Sequence, residues 1–388
     1  MKERKLAPGI LAIQFLVLMS YSSVAVLTLL SLYFEHLGGS PRQIGFLMGL
    51  FSLAAFLSRP FGSWLLSRFN PKKVLGAGLI LTLVTTAMYP FIEKLDWFVV
   101  FIRIFHGIGF SIFILGALLI AILLVSEEDR AYAIGVVSTG FMLPLLVFPF
   151  MGEEIIKKYG FFLFFLSAIF LSAVPLVYSF FAKINLPRFS EKSEGRAAGF
   201  LRLLRQRRIC LVFLITVVFE TGLSASLFFV PLIAHGESPM RAGYFYTFLG
   251  LTAVFMRLYG GKHFRIWGSP GLILPALYFI SGGAVLIYFS SNNFLLGFSG
   301  VIWGIGVGIL YPHLTALIMK GVALREKGKV LSLFASSVDL GFAVGPLAFG
   351  WVSQSLGLRT AFIILALFIF LSSSILVLWG KSSLVRNK

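Results

Sequence analysis

Twelve long apolar stretches separated by short polar joints leave this chain few ways to fold. They fall at about 8–34, 42–69, 74–92, 97–124, 131–152, 160–182, 208–234, 240–261, 269–290, 293–319, 328–355 and 358–380. Each runs for roughly 20 to 28 residues, enough to cross a bilayer with some tilt. A lone strand in hydrocarbon leaves its backbone groups unpaired, so each stretch is read as a helix. Hydrophobic residues make up 58% of the 388 and charged residues 12%, whereas a soluble domain carries roughly 25% charge. The solvent for this surface is lipid, and the expected class is an all-α polytopic membrane protein.

The chain also repeats itself. Ser40-Pro41, Gly45, Arg59 and Gly62 recur 198 residues later as Ser238-Pro239, Gly243, Arg257 and Gly260. Gly107, Gly109 and Pro149 recur after 197 residues as Gly304, Gly306 and Pro346. A repeat of half the chain length predicts two pseudo-symmetric six-helix bundles, 1–183 and 208–388, joined by a basic linker at 184–207. Parallel repeats of this kind build transporters, with the substrate site between the halves.

The net charge of +18 invites a nucleic-acid reading. Its distribution argues for orientation instead. With Met1 placed in the cytoplasm, 24 Lys and Arg fall on inner segments, six on outer segments (Arg42, Lys94, Lys157, Lys158, Arg241, Arg359), and three inside helices. This is the positive-inside asymmetry, with both termini cytoplasmic and the chain in the cell (inner) membrane. The first span has the length and flanks of a helix that stays, not of a cleaved signal. In the linker, Phe200, Leu201, Leu203 and Leu204 interleave with Arg202, Arg205, Arg207 and Arg208. Two readings stand: a short helix on the anionic inner leaflet, or a solvated linker carrying orienting charge.

Cys210 is the single cysteine, so no intrachain disulfide and no cysteine metal site are expected. Gly107, Gly109, Gly304 and Gly306 lie inside spans, where glycine permits close helix approach; no strand–turn–helix context makes them a nucleotide loop. No Walker motif, zinc-ligand spacing or nucleophile–His–acid arrangement is present. No cofactor, no metal, no nucleic acid and no enzymatic activity are expected.

The helix count, the basic central loop and the half-chain repeat together resemble the major facilitator superfamily. The family signature between helices 2 and 3, Gly-x-x-x-Asp-Arg-x-Gly-x-Arg/Lys-Arg/Lys, falls on Ser63, Ser67, Arg68, Asn70, Lys72 and Lys73. The three basic positions match; Ser63, Ser67 and Asn70 replace the first Gly, the acid and the turn Gly. Asn tolerates the left-handed conformation of such a turn. Without the acid, the charge relay that the motif implies in the family is weakened. Arg103–Phe110, RIFHGIGF, is similar to the buried-arginine pattern of helix 4 in proton-coupled antiporters. Pro149 and Gly152 stand where helix 5 of those antiporters is rich in Gly and Pro. Tyr311-Pro312, Gly328, Asp339, Gly341, Gly345-Pro346 and Gly350 look like bacterial drug- or arabinose-type efflux permeases.

Five charged side chains fall well inside predicted spans: Glu220, Asp339, Arg59, Arg103 and Arg257. Each costs roughly 2.5–3.5 kcal/mol at a helix centre on insertion scales, so each needs a partner or a watery cavity. The resemblance implies that helices 2 and 11 pack together, which suggests an Arg59–Asp339 pair. That pair reads either as a gate latch broken by protonation of Asp339 or as a permanent structural bridge. Glu220 has Ser22 as its repeat partner, so the shared fold does not demand the acid; a proton site or a cargo contact is expected there, against a carboxyl simply bonded to a neighbouring helix. Arg103 and His106 share one face of helix 4, and His106 aligns with Trp303. With Tyr311 and with His313, which follows Pro312, they are the candidate substrate-cavity residues. Ser67, Arg68, Asn70, Lys72 and Lys73 form the candidate switch loop. Arg257 repeats Arg59 but has no acidic counterpart in helix 5, where Met142 stands at the repeat position of Asp339, and a structural bond to backbone carbonyls is expected of it.

The sequence thus points to a monomeric secondary transporter that moves a small molecule by alternating access, with protons as coupling ion and export as direction by resemblance. The alternatives are organic-anion uptake or uniport, a non-transporting membrane sensor, and a lipid flippase on the same scaffold.

Overall fold

The computed structural model describes residues 8–126, 129–182, 184, 202–236, 240–263, 270–322 and 326–385. Most of the predicted linker, 185–201, and Ser238-Pro239 of the repeat lie outside them. The described residues form α1 (Pro8–Val26), α2 (Leu30–His36), α3 (Pro41–Arg68), α4 (Pro71–Met88), α5 (Trp97–Leu123), α6 (Arg130–Ser138), α7 (Leu143–Phe181), α8 (Arg207–Gly236), α9 (Ala242–His263), α10 (Ile273–Phe289), α11 (Asn293–Met319), α12 (Lys327–Leu356) and α13 (Leu358–Val385). A 3₁₀ turn, Leu27–Leu29, joins α1 to α2 within the first predicted span. The fifth span likewise begins as α6 and a 3₁₀ turn, Thr139–Phe141, before α7.

One predicted joint is absent as a loop. The polar run Glu153–Tyr159 stays helical, with Lys158 Nζ 3.6 Å from Glu154 Oε2 one turn away. The helix is broken at Gly160, where φ is 79° and ψ −178°, a conformation that glycine adopts at little cost. That single residue divides α7 into the fifth and sixth spans.

Capping fixes several starts. Ser40 and Gln43 form a reciprocal capping box at α3, Ser40 N–H donating to Gln43 Oε1 (3.0 Å) and Gln43 N–H to Ser40 Oγ (3.3 Å). Asp96 accepts from the Phe98 N–H ahead of α5, and Asn292 from the Leu295 N–H ahead of α11. Asn70 corrects the sequence reading. It is not left-handed; its φ is −56° and ψ 129°, and its side chain accepts from the Lys72 N–H to cap α4. Pro71 is the reason, because a residue before proline is driven to the extended region.

The described chain divides into two compact units. The first holds residues up to Leu29 and Leu53–Ser193, the second Leu30–Ser52 and Glu194 onward. In the first, α4 and α5 close tightly: a Cβ on Gly78 would stand 2.8 Å from the Gly109 carbonyl oxygen, and one on Gly109 2.9 Å from the Thr82 nitrogen. Buried hydroxyls join α7, α1 and α4, with Ser172 Oγ donating to Ser23 Oγ (2.7 Å) and lying 3.3 Å from Thr86 Oγ1. In lipid such bonds and small-residue contacts replace hydrophobic collapse as glue.

In the second unit, Gly300, Gly304 and Gly308 line one stripe of α11 against α9. A Cβ at each would sit 2.5, 2.6 and 2.9 Å from the carbonyl oxygens of Phe245, Leu249 and Ala253. Both series advance by four residues, so one helix face meets another along a full ridge. Gly306 faces the other way, onto Ile280 and Ala276 of α10. Gly109 and Gly306, equivalent in the repeat, thus each admit the preceding long helix. The first turns of α3 lie against α12, where a Cβ on Gly49 would stand 2.7 Å from the Ala343 oxygen, and the Arg42 guanidinium sits 3.3 Å over the Trp351 ring. Large apolar side chains such as Trp97 (84% exposed), Phe180 (76%) and Phe91 (73%) project outward, which suits lipid and not water.

Candidate functional site

The second unit gathers charge where α8, α9, α11 and α12 meet. Gly341 of α12 lets α8 approach so closely that a Cβ there would stand 2.5 Å from the Glu220 Cβ. Ser224, one turn further on α8, donates to the Gly341 carbonyl at 3.3 Å. Glu220 is 2% exposed and makes no hydrogen bond among the described residues. Asp339 sits two residues before Gly341, half-buried, and Glu220 lies within coulombic range of both Asp339 and Arg257. Ser22, the repeat partner of Glu220, is buried but satisfied, donating to the Leu18 carbonyl at 2.7 Å.

Of the three Arg257 nitrogens, two do not make the backbone bonds expected of this side chain. Its guanidinium lies over the Tyr311 ring, 5.2 Å from the centroid, and its Nε and Nη2 are buried with no hydrogen-bond partner among the described residues. The Tyr311 ring in turn meets Phe334 of α12 edge-on at 5.4 Å. Tyr311 therefore belongs to this cluster. Trp303 does not: it is fully buried against Gly283 and Gly222, at a helix crossing. His313 Nδ1 lies 2.8 Å from the Ile309 carbonyl one turn back in its own helix.

The first unit holds a separate buried cluster. Arg103 and His106, on one face of α5, both reach the hydroxyl of Tyr89 at the end of α4. Arg103 Nη1 donates to it at 3.1 Å, and His106 Nδ1 lies 2.9 Å away. Arginine can only donate, so the arrangement that leaves no O–H unused has Tyr89 donating to Nδ1. Phe165 of α7 stacks on the Tyr89 ring at 6.1 Å. Tyr89 was missed in the sequence reading; the signal available was a tyrosine ahead of Pro90, where α4 tightens into the 3₁₀ turn Tyr89–Phe91.

Arg59 is half-buried on α3 in the first unit, while Asp339 belongs to the second. The switch-loop residues Ser67, Arg68 and Asn70 are exposed, Ser67 Oγ donating to the Trp64 carbonyl at 2.7 Å and Arg68 lying 5.0 Å over the Trp64 ring. No cluster of metal-ligating side chains occurs among the described residues.

Long apolar helices with glycine seams, outward-facing aromatics and a few buried charges at helix crossings define a multi-pass membrane protein. The family model of the Major Facilitator Superfamily matches residues 10–337 and 273–387. The chain belongs to this superfamily, whose members are transporters and not enzymes, and the twelve spans read from the sequence are consistent with it. It is 25% identical over 366 residues to the staphylopine export protein of Staphylococcus aureus (strain Mu50 / ATCC 700699), covering 91% of each chain. It is 25% identical over 354 residues to the multi-drug resistance efflux pump PmrA of Streptococcus pneumoniae (serotype 4, strain ATCC BAA-334 / TIGR4), covering 87% of each. The solved nucleoside transporter NupG superposes with a TM-score of 0.77 at 13% identity, over 98% of this chain and 100% of that one.

Proposed function

We propose that the chain is a proton-coupled exporter of a small organic molecule, working by alternating access as a monomer in the cell (inner) membrane with both termini cytoplasmic. The observation that carries the reading is Glu220, buried in mid-helix with no hydrogen bond among the described residues and with Asp339 in its field. A carboxyl without a partner in an apolar interior is costly as an anion. It draws a positive charge to itself, and a proton delivered on one side of the membrane and released on the other supplies one. Relatives named for staphylopine export and multidrug efflux support the outward direction.

The test places the purified chain in liposomes with a pH dye inside and imposes gradients of a compound panel that includes cationic dyes. Compound-dependent proton flux, lost in Glu220→Gln or Asp339→Asn, is the expected result, and its sign gives the direction. Cargo movement without proton flux, unchanged by both substitutions, overturns the coupling. A second reading, uptake or uniport of an organic anion, is favoured by Arg103 and His106 gathered on Tyr89. Under that reading Arg103→Gln abolishes anion entry while Glu220→Gln leaves it intact. If nothing moves, labelled-lipid flipping separates a flippase from a sensor.

A further inference from the structure

Arg257 has no task in the proton reading, and its geometry is specific. Nε and Nη2 form one edge of the guanidinium, the edge that binds a carboxylate through two parallel hydrogen bonds. Both atoms are buried without a partner among the described residues, while the flat face is held over Tyr311 at 5.2 Å. Stacking steadies the charge but uses none of the N–H donors. Glu220 lies near enough to feel Arg257, yet the two make no ion pair among the described residues. The cluster therefore offers a vacant two-donor edge at one end and the Glu220 carboxyl at the other, within coulombic range of Asp339, with Tyr311 and Phe334 in edge-on contact beside them.

We propose that the α8–α9–α11–α12 cluster is a binding site for a zwitterion, with Arg257 holding a carboxylate of the cargo, Glu220 receiving its ammonium group, and Tyr311 covering its apolar part. A purely cationic cargo leaves the arginine edge desolvated and unbonded, and a purely anionic one leaves the Glu220 carboxyl so. Sites with buried polar groups reject ligands that cannot satisfy them far more strongly than apolar pockets reject a missing methylene. The inference rests on the transporter reading and narrows its cargo to amino-acid-like and peptide-like compounds.

The experiment measures equilibrium binding to the purified full chain in detergent, without a gradient, so that coupling plays no part. The probes are phenylalanine, its methyl ester and its N-acetyl form, and the same three forms of phenylalanyl-alanine. On wild type, at least one zwitterion is expected to bind tenfold or more tighter than both of its blocked forms. Arg257→Gln removes the advantage over the ester and keeps that over the N-acetyl form; Glu220→Gln does the reverse. Each variant's retained preference is its own evidence of folding. Arg257→Lys, with charge but no fork, falls between wild type and Arg257→Gln. The proposal is overturned if no probe binds, if a blocked form binds as well as its zwitterion, or if the preference survives Arg257→Gln. Dye export with proton flux alongside such a failure leaves the exporter reading standing, whereas loss of both removes it.

Discussion

Replacing Gly283 by alanine is expected to destabilise the chain, while the same change at its neighbour Gly282 stabilises it. Both lie inside α10, so both gain the same helix preference, about 0.8–1.0 kcal/mol for alanine over glycine. Their surroundings differ. A Cβ on Gly282 meets nothing within 4 Å, but one on Gly283 falls 2.6 Å from Trp303 Cδ1 and 3.0 Å from its Nε1. The indole has no retreat: it is fully buried, and its Cη2 lies 3.2 Å from where a Cβ on Gly222 would be. Overpacking of this kind costs about 1–3 kcal/mol. The propensity gain cancels in the difference between the two variants, which therefore reports the clash alone, roughly 5- to 150-fold in the unfolding equilibrium at about 1.36 kcal/mol per decade. The assay is SDS titration from mixed micelles followed by circular dichroism. Adding Trp303→Phe to Gly283→Ala should recover part of the loss, since contacting residues do not act additively. Equal midpoints for the two alanine variants would refute the packing argument.

Tyr89→Phe strips Arg103 and His106 of a shared partner and should cost about 1–3 kcal/mol in the same titration, the penalty for leaving buried polar groups unsatisfied; an unchanged midpoint would show that the hydroxyl bridges nothing of consequence. Ser40→Ala removes the acceptor for the Gln43 N–H at the start of α3 and should cost about 0.5–2 kcal/mol, with Gln43→Ala smaller in effect; the midpoints of the two variants check this. Ser67→Asp places a carboxylate beside the basic residues Arg68, Lys72 and Lys73 and should raise the transport rate in the liposome assay, whereas a rate equal to wild type would argue that this loop takes no part in gating.

The helices were legible because lipid permits almost nothing else: an apolar run of spanning length must bond its own backbone. The repeat was legible for a related reason, since a glycine that admits a neighbouring helix in one half is needed at the same crossing in the other, as Gly109 and Gly306 illustrate. Turn geometry was legible only in part. The pattern of a family loop suggested a left-handed Asn70, but the adjacent Pro71 decides the conformation, and local sterics outrank resemblance. The side chains of the candidate site were the least legible. A charge inside a span announces that it needs company without saying which helix provides it. Arg257 lies over Tyr311 and within coulombic range of Glu220 at sequence separations that no periodicity encodes. Tyr89 shows the converse: a phenol carries no charge to draw the eye, yet its single hydroxyl orders the two basic side chains of α5. In a membrane interior the informative residues are therefore those whose polar atoms find no intrahelical partner. The contrast between Ser22, bonded within its own turn, and Glu220, bonded to nothing described, separates scaffold from site more sharply than charge alone.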